Sequence, residues 1–154
     1  MAELAPIADS TLELISFEIA EQEFCIDIRN VREIRGWAPA TPVPQTPSYI
    51  QGVINLRGAV IPVVDLRNRL GLGETVPSSR HVILVIQDGE RVAGLLVDGV
   101  HATFRVDGAL MQPPPPLESL VSDRFVDAIL PLDGRLLSRL VVSTLFPNLT
   151  LQAA

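Results

Sequence analysis

The sequence predicts a mainly β protein folded as two small barrels. Short runs of alternating apolar and polar residues recur along the chain at a spacing of about 8–12 residues, which gives roughly ten strands. Two Asp-Gly pairs, at Asp88-Gly89 and Asp133-Gly134, separate apolar runs as they do in tight hairpins. Helical periodicity is confined to a few short segments, so many short strands and few helices favour barrels.

The first strand is predicted over Thr11–Ala20, where apolar residues alternate with polar ones. A turn at Glu21–Glu23 leads to a hairpin partner over Phe24–Ile28, which shows the same alternation. Asn30 is followed three residues later by Glu33, a spacing close to a capping box, and it predicts a short helix there. Residues 1–10 show no periodic pattern, and we expect a flexible tail.

The next segment, Trp37–Pro47, contains four prolines and is predicted to be extended or to lie at a sheet edge. The stretches GVINL and AVIPVV then form two strands around Arg57-Gly58. Pro62 places the second of these strands at an edge, because proline cannot donate to a central ladder. A short helix follows, with Asp65 as its N-cap and Gly71 as its C-cap.

The second half of the chain again consists of short predicted strands joined by turns and loops. The runs HVILVIQ and RVAGLLV form a hairpin, and VHATFRV adds a strand. Met111–Pro116 is an extended loop, and FVDAILPL and RLLSRLVV form another hairpin. STLFPNL closes the chain as a short helical turn capped by Ser143. We expect one domain over residues 11–148, a break between its two halves near residues 71–80, and a tail at 149–154.

Composition excludes several classes of function. The 154 residues carry a net charge of −6, and all twelve basic residues are scattered arginines, so a nucleic-acid partner is not expected. No apolar run is long enough to insert into a membrane, and the acidic start is unlike a signal peptide, so a cytoplasmic location is expected. One cysteine, Cys25, and two histidines, His81 and His101, give no metal-ligand spacing, and no cofactor motif is present.

Arg57 is the unusual charge, because its neighbours are almost all aliphatic. A buried guanidinium needs a partner, and Glu33 is the candidate; the other interpretation is a solvated arginine in a turn. The carboxylates Asp65, Asp98 and Asp123 lack a nucleophile with an adjacent base, so catalysis is not predicted. Pro113–Pro116 fits a ligand for SH3-type domains but fits a spacer between strands better.

The segments FCIDIRNVREIRG, TPSYIQGVINLRGAVIPVVDLRNRLGL and ERVAGLLVDGV resemble the chemotaxis coupling protein (CheW) family. The resemblance runs from about Leu14 to Phe146. It implies two five-stranded SH3-like β-barrel subdomains around a shared core. It also implies a non-catalytic adaptor that couples the cytoplasmic tips of chemoreceptors to the regulatory domain of a CheA-type histidine kinase, in the cytoplasm and associated with receptor arrays.

The resemblance also assigns individual residues. It places Val31, Val82 and Ile83 in a groove that receives a receptor helix, and it makes Glu33 and Arg57 an ion pair. Gly52 and Gly58 match turn positions, where the requirement is either backbone geometry or contact with a partner. Asp65 matches as a helix cap and Asp98 as a turn residue.

The C-terminal region departs from the family pattern, since no acidic residue lies between Arg135 and Ala154. This suggests a divergent member. The alternative function is therefore a CheW-like adaptor in a related chemosensory pathway, such as one that controls surface motility by type IV pili.

Overall fold

The structure, a computed structural model, describes residues 11–115 and 124–147. It contains ten strands, and all but β3 coincide with strands predicted from the sequence. They are β1 (Thr11–Ile19), β2 (Gln22–Asp27), β3 (Val31–Gly36), β4 (Ile50–Leu56), β5 (Ala59–Asp65), β6 (Val82–Asp88), β7 (Arg91–Val97), β8 (Gly99–Asp107), β9 (Val126–Leu132) and β10 (Arg135–Leu140). One short helix, α1 (Leu66–Arg69), and three single-turn 3-10 helices, Ile28–Asn30, Gly108–Leu110 and Val142–Thr144, complete the described elements.

The strands form two five-stranded sheets, which confirms the predicted fold. One sheet has the order β8-β1-β2-β10-β9 and is called the first lobe; the other has the order β3-β6-β7-β5-β4 and is called the second lobe. Each lobe contains one parallel pair, β10 with β2 and β5 with β7, among antiparallel neighbours.

Each sheet curls until its two edges meet. In the second lobe Thr41, beyond β3, exchanges two 2.9 Å backbone hydrogen bonds with Val53 of β4. In the first lobe Gln112, beyond β8, does the same with Ile129 of β9, at 2.9 and 2.7 Å. These bridges join the outer strands of each sheet, so both lobes close as small barrels without long exposed edges.

Apolar side chains fill three spaces. One cluster, which includes Ile54, Ile61 and Val85, lies inside the second lobe, and another, which includes Leu14, Val106 and Leu137, lies inside the first. The largest cluster joins the lobes and takes residues from both sheets, among them Phe17, Phe24, Leu84 and Leu95. Strands such as β6 are buried on both faces, which explains their continuous apolar sequences.

Three predictions about elements are wrong. Residues Val31–Gly36 form strand β3 along β6, so Glu33 lies on a strand and not on a helix. Pro62 lies in β5, which has β4 on one side and β7 on the other; it is tolerated because the ladder to β7 begins one residue later, at Val63. Ser143 lies inside the last 3-10 helix, whose N-cap is Val141 and has no side-chain cap.

The division between the lobes also differs from the predicted one near residues 71–80. Those residues connect α1 to β6 within the second lobe. The chain instead passes from the first lobe to the second between β2 and β3 and returns between β7 and β8. The predicted tails at 1–10 and 149–154 lie outside the described residues. No helix among the described residues is long and apolar enough to cross a membrane.

Candidate protein-interaction site

Arg57 and Glu33 form an ion pair at the surface of the second lobe. Arg57 lies in the turn between β4 and β5, and its Nη2 donates to Glu33 Oε1 on β3. β3 and β4 are the two outer strands of this sheet, so the pair crosses the line where the barrel closes. The Arg57 side chain remains 69% exposed, whereas that of Glu33 is 23% exposed. The pair therefore holds a mostly solvent-accessible guanidinium in a fixed place.

The backbone of this turn is unusual for its sequence. Arg57 has φ +52° and Gly58 has φ +90°, both in the left-handed region. Glycine takes this conformation freely, but arginine does so at an energetic cost. Asn55 Oδ1 accepts a 2.8 Å hydrogen bond from the Gly58 amide and stabilises the turn. A strained residue that exposes its charged group is a common feature of functional surfaces.

Gly52 and Gly58 occupy their positions for different structural reasons. A Cβ on Gly52 would lie 2.3 Å from Thr41 O, and its φ is +148°, so barrel closure itself requires glycine there. A Cβ on Gly58 would meet no atom within 4 Å among the described residues. Gly58 thus serves the turn conformation and leaves open space in front of it.

The predicted groove residues separate according to the face of the sheet on which they lie. Val31 and Val82 are half-buried and pack beside the cluster between the lobes. Ile83 points to the opposite face, is fully buried inside the second lobe, and would lie only 2.8 Å from a Cβ on Gly94. Adjacent residues of a strand face opposite ways, so Ile83 is corrected to a core residue.

Ile34 is the exposed residue that the sequence analysis missed. It pairs with Leu84 in the middle of the ladder between β3 and β6, and its side chain is 49% exposed. Val31 and Val82 lie towards the two ends of that ladder, paired with Ile86 and Gly36. Residues 82, 84 and 86 of β6 share one face, so Val31, Ile34 and Val82 form a line that we call the apolar row.

Of the three carboxylates considered for acid–base chemistry, Asp65 and Asp98 have structural roles. Asp65 is buried, accepts from the Thr75 amide at 2.9 Å and hydroxyl at 2.6 Å, and caps α1 at the Asn68 amide. Asp98 accepts from the Ala20 amide at 2.8 Å and lies 3.5 Å from His81 Nε2. Asp123 lies outside the described residues.

The other candidate groups are the thiol of Cys25, the imidazole of His101 and sets of metal-ligating side chains. Cys25 is fully buried, and burial raises the pKa of its thiol to about 12, so the reactive thiolate is absent near neutral pH. His101 Nε2 lies 3.2 Å from Glu18 Oε1 at the surface. Within residues 11–115 and 124–147, no group of three or more His, Cys, Asp or Glu side chains could hold a metal ion.

Comparisons with known proteins agree on one family. The family model described as CheW-like domain matches residues 13–149. The chain is 46% identical over 142 residues to proteins named "Probable chemotaxis protein CheW" in Rhizobium etli and "Chemotaxis protein CheW" in Rhizobium meliloti, with 92% of each chain covered. Its fold is similar to the crystal structure of the scaffolding protein TtCheW from Thermoanaerobacter tengcongensis, with TM-score 0.78 and 34% identity over 84% of this chain and 88% of that one.

Proposed function

The chain belongs to the CheW-like domain family, and on this basis we propose that it is the adaptor that couples chemoreceptors to a CheA-type histidine kinase in chemotaxis signal transduction. The observation that supports this proposal is a folded scaffold with two surface features that suit protein partners. These are the apolar row between the lobes and the charged Arg57 turn at the end of one barrel.

The apolar row suits the cytoplasmic tip of a receptor. Val31, Ile34 and Val82 present half-exposed aliphatic side chains along the seam between the two lobes. Such a strip accepts the apolar face of a helix, which contributes residues at i, i+3, i+4 and i+7. The proposed receptor-binding surface therefore contains Ile34 in place of the predicted Ile83, and all three of its residues are accessible.

The Arg57 turn suits the regulatory domain of the kinase. Arg57 is held by Glu33, and Val60, three residues later, is 67% exposed. An arginine beside an exposed aliphatic residue is a combination that is enriched in protein interfaces. The partner would bind the end of the second lobe, and the complex would place this protein in the cytoplasm beneath membrane-bound receptors, with no membrane insertion of its own.

A non-catalytic role is part of this proposal. The only thiol of the described chain is inert, and the buried carboxylate Asp65 is fully used by the Thr75 and Asn68 groups. An adaptor works instead by holding two partners at once. The names of the relatives favour chemotaxis over surface motility, and a deletion strain that loses chemotactic swimming but retains twitching would separate the two outputs.

A binding experiment tests the kinase contact. We expect the purified protein to bind the regulatory domain of its kinase with a Kd of roughly 1 μM, about 8 kcal/mol. Arg57→Glu should weaken this complex, and adding Glu33→Arg should restore part of the affinity because the charges are exchanged. Arg105→Glu, an exposed arginine on β8 of the first lobe, is the matched control. A double variant weaker than both single variants would contradict the pair's role.

The receptor contact is tested separately. Ile34→Asp should abolish binding of a receptor-tip fragment while the kinase complex persists, because Ile34 lies in the apolar row and its side chain is on the face of β3 opposite to that of Glu33. Val76→Asp is the control, since Val76 is an exposed aliphatic residue in the connection between α1 and β6. Equal loss of receptor binding in both variants would argue against the apolar row.

A further inference from the structure

A second concave surface borders the Arg57 turn and shares the exposed Val60 with it. It is a groove of about 1050 Å³ between β5, the start of β7 and the last 3-10 helix. Its apolar lining includes Val60, Pro62, Val92 and Phe146. Val60 is common to this groove and the proposed kinase contact, but Glu33, Arg57 and the apolar row do not line it, so the proposed receptor contact does not account for its arginines.

Arginines outnumber carboxylates in the lining of this groove, although the chain as a whole is acidic. Three arginines, Arg69, Arg91 and Arg124, line it together with one carboxylate, Glu90. The chain as a whole has a net charge of −6. A quarter of the twelve arginines therefore gathers on one concave surface of an acidic protein. Such a local reversal of sign attracts and orients a negatively charged partner. We call this surface the arginine groove.

Aromatic rings hold the guanidinium groups in position. Arg69 lies 4.3 Å from the centre of the Tyr49 ring, and Arg91 lies 4.5 Å from that of Phe146. Arg124 lies 4.7 Å from the ring of Phe125. Stacking on a ring restrains an arginine but leaves the edges of its guanidinium able to donate hydrogen bonds. Arg69 and Arg91 thus present donors whose conformational freedom is already reduced.

Arg69 has an incomplete set of partners. Its Nη2 donates to Thr144 O at 3.0 Å, but its Nε is buried without a hydrogen bond among the described residues. No carboxylate of the described chain lies within 4.0 Å of its guanidinium. Burial and the nearby charge of Arg124 lower the pKa of Arg69. A carboxylate brought into the groove would offset both the cost of burying the Arg69 charge and its repulsion from Arg124.

We propose that the arginine groove binds an acidic segment of a partner protein, whose carboxylates contact Arg69 and Arg91 while its aliphatic side chains cover Val60 and Phe146. Charge alone would suit any small anion. The exposed apolar lining adds a second requirement, because Val60 is 67% exposed and gains only from an apolar neighbour. A peptide that carries both carboxylates and aliphatic groups meets both requirements.

A peptide titration tests this inference without any chemotaxis partner. The probe is a twelve-residue peptide of alternating Glu and Leu, blocked at both ends and added to ¹⁵N-labelled protein. We expect amide shifts centred on Val60, Val92 and Thr144, and an affinity that falls as salt is raised. The matched peptide of alternating Gln and Leu should bind at least about tenfold more weakly, because it lacks the charges.

Two variants locate the contact. Arg91→Glu, at a side chain that is 52% exposed and also pairs with Asp88, should reduce peptide affinity at least about tenfold with little effect on folding. Arg69→Ala should do the same, and Arg105→Ala should leave the affinity unchanged. Absence of peptide binding, equal binding of the Gln peptide, unchanged affinity in both groove variants, or displacement of the peptide by millimolar inorganic phosphate would each overturn the proposal. Kinase and receptor binding are separate measurements, so the adaptor function can hold while this inference fails.

Discussion

The two lobes have the same architecture reached from different points of the chain. Strands β3, β4, β5, β6 and β7 of the second lobe occupy the same positions in their sheet as β8, β9, β10, β1 and β2 do in the first. The equivalent hairpins carry two-residue turns with positive φ at both positions, Arg57-Gly58 in one lobe and Asp133-Gly134 in the other. Two residues beyond each glycine stands an exposed aliphatic side chain, Val60 or Leu136, at 67% and 68% exposure.

The difference between the lobes lies in what each turn contains. Asp-Gly is a common sequence for this turn, because aspartate tolerates the left-handed conformation. The second lobe has arginine at the equivalent position and ties it to Glu33. At this hairpin the first lobe therefore follows local preference, whereas the second lobe departs from it where we propose that the kinase binds; elsewhere in the first lobe Ala20 and Glu21 also have positive φ. Departures of this kind are typical of functional positions.

The largest expected effect concerns the bridge that closes the second lobe. Gly52→Ala should lower the free energy of unfolding by about 3 kcal/mol, because the new Cβ would collide with Thr41 O and take a positive φ. Urea unfolding followed by circular dichroism measures this. Gly99→Ala is the control: a Cβ there meets nothing described within 4 Å, and its φ is not in the left-handed region. A loss for Gly52→Ala below about 1 kcal/mol would mean that the bridge can shift.

A smaller loss of stability is expected from substitution of Asp65, the last residue of β5. In the second lobe Asp65 caps α1 and accepts two hydrogen bonds from Thr75, whereas its counterpart in the first lobe, Val141, offers no side-chain cap. Asp65→Ala should therefore cost about 2 kcal/mol, through a lost cap and a buried Thr75 amide left unpaired. Calorimetry should show a lower Tm.

The counterpart substitution checks that reasoning in the first lobe. Val141→Asp should raise stability by no more than about 1 kcal/mol, since it adds a cap to the 3-10 helix at Val142–Thr144 but no partner equivalent to Thr75. If Asp65→Ala were neutral, the Asp65 network would not be the anchor of the segment between α1 and β6.

The positions of most strands and hairpins in the two lobes could be predicted from the sequence. Alternation located β1, although its centre is buried on both faces, and the Asp-Gly pairs located two hairpins. The core position of Ile83 could not be predicted, because β6 is buried on both faces and its apolar run carries no sign of which residues point where. The exposed Ile34 had no sequence signal either, since its pattern is that of a buried residue.

The error at β3 has a specific physical cause. Asn30 and Glu33 have the spacing of a helix start, but the Asn30 side chain donates instead to Gln87 O on the neighbouring β6, at 3.0 Å. Pairing with β6 outweighs the local helical preference, and such tertiary effects do not appear in a short window of sequence. The topology was missed for a similar reason, because the first lobe is assembled from the two ends of the described chain.

The smallest expected effect comes from exchanging the two turns. Asp133→Arg should cost about 1 kcal/mol, because arginine enters the left-handed region of the first lobe without the support that Glu33 gives in the second. Arg57→Asn should change stability by less than about 0.5 kcal/mol, since asparagine suits the turn and only an exposed ion pair is lost. Arg57→Asn should nevertheless weaken kinase binding, whereas Asp133→Arg should not. Urea unfolding and titration with the kinase domain together decide the matter: a kinase affinity that Arg57→Asn leaves unchanged would mean that arginine occupies this turn for a reason other than recognition.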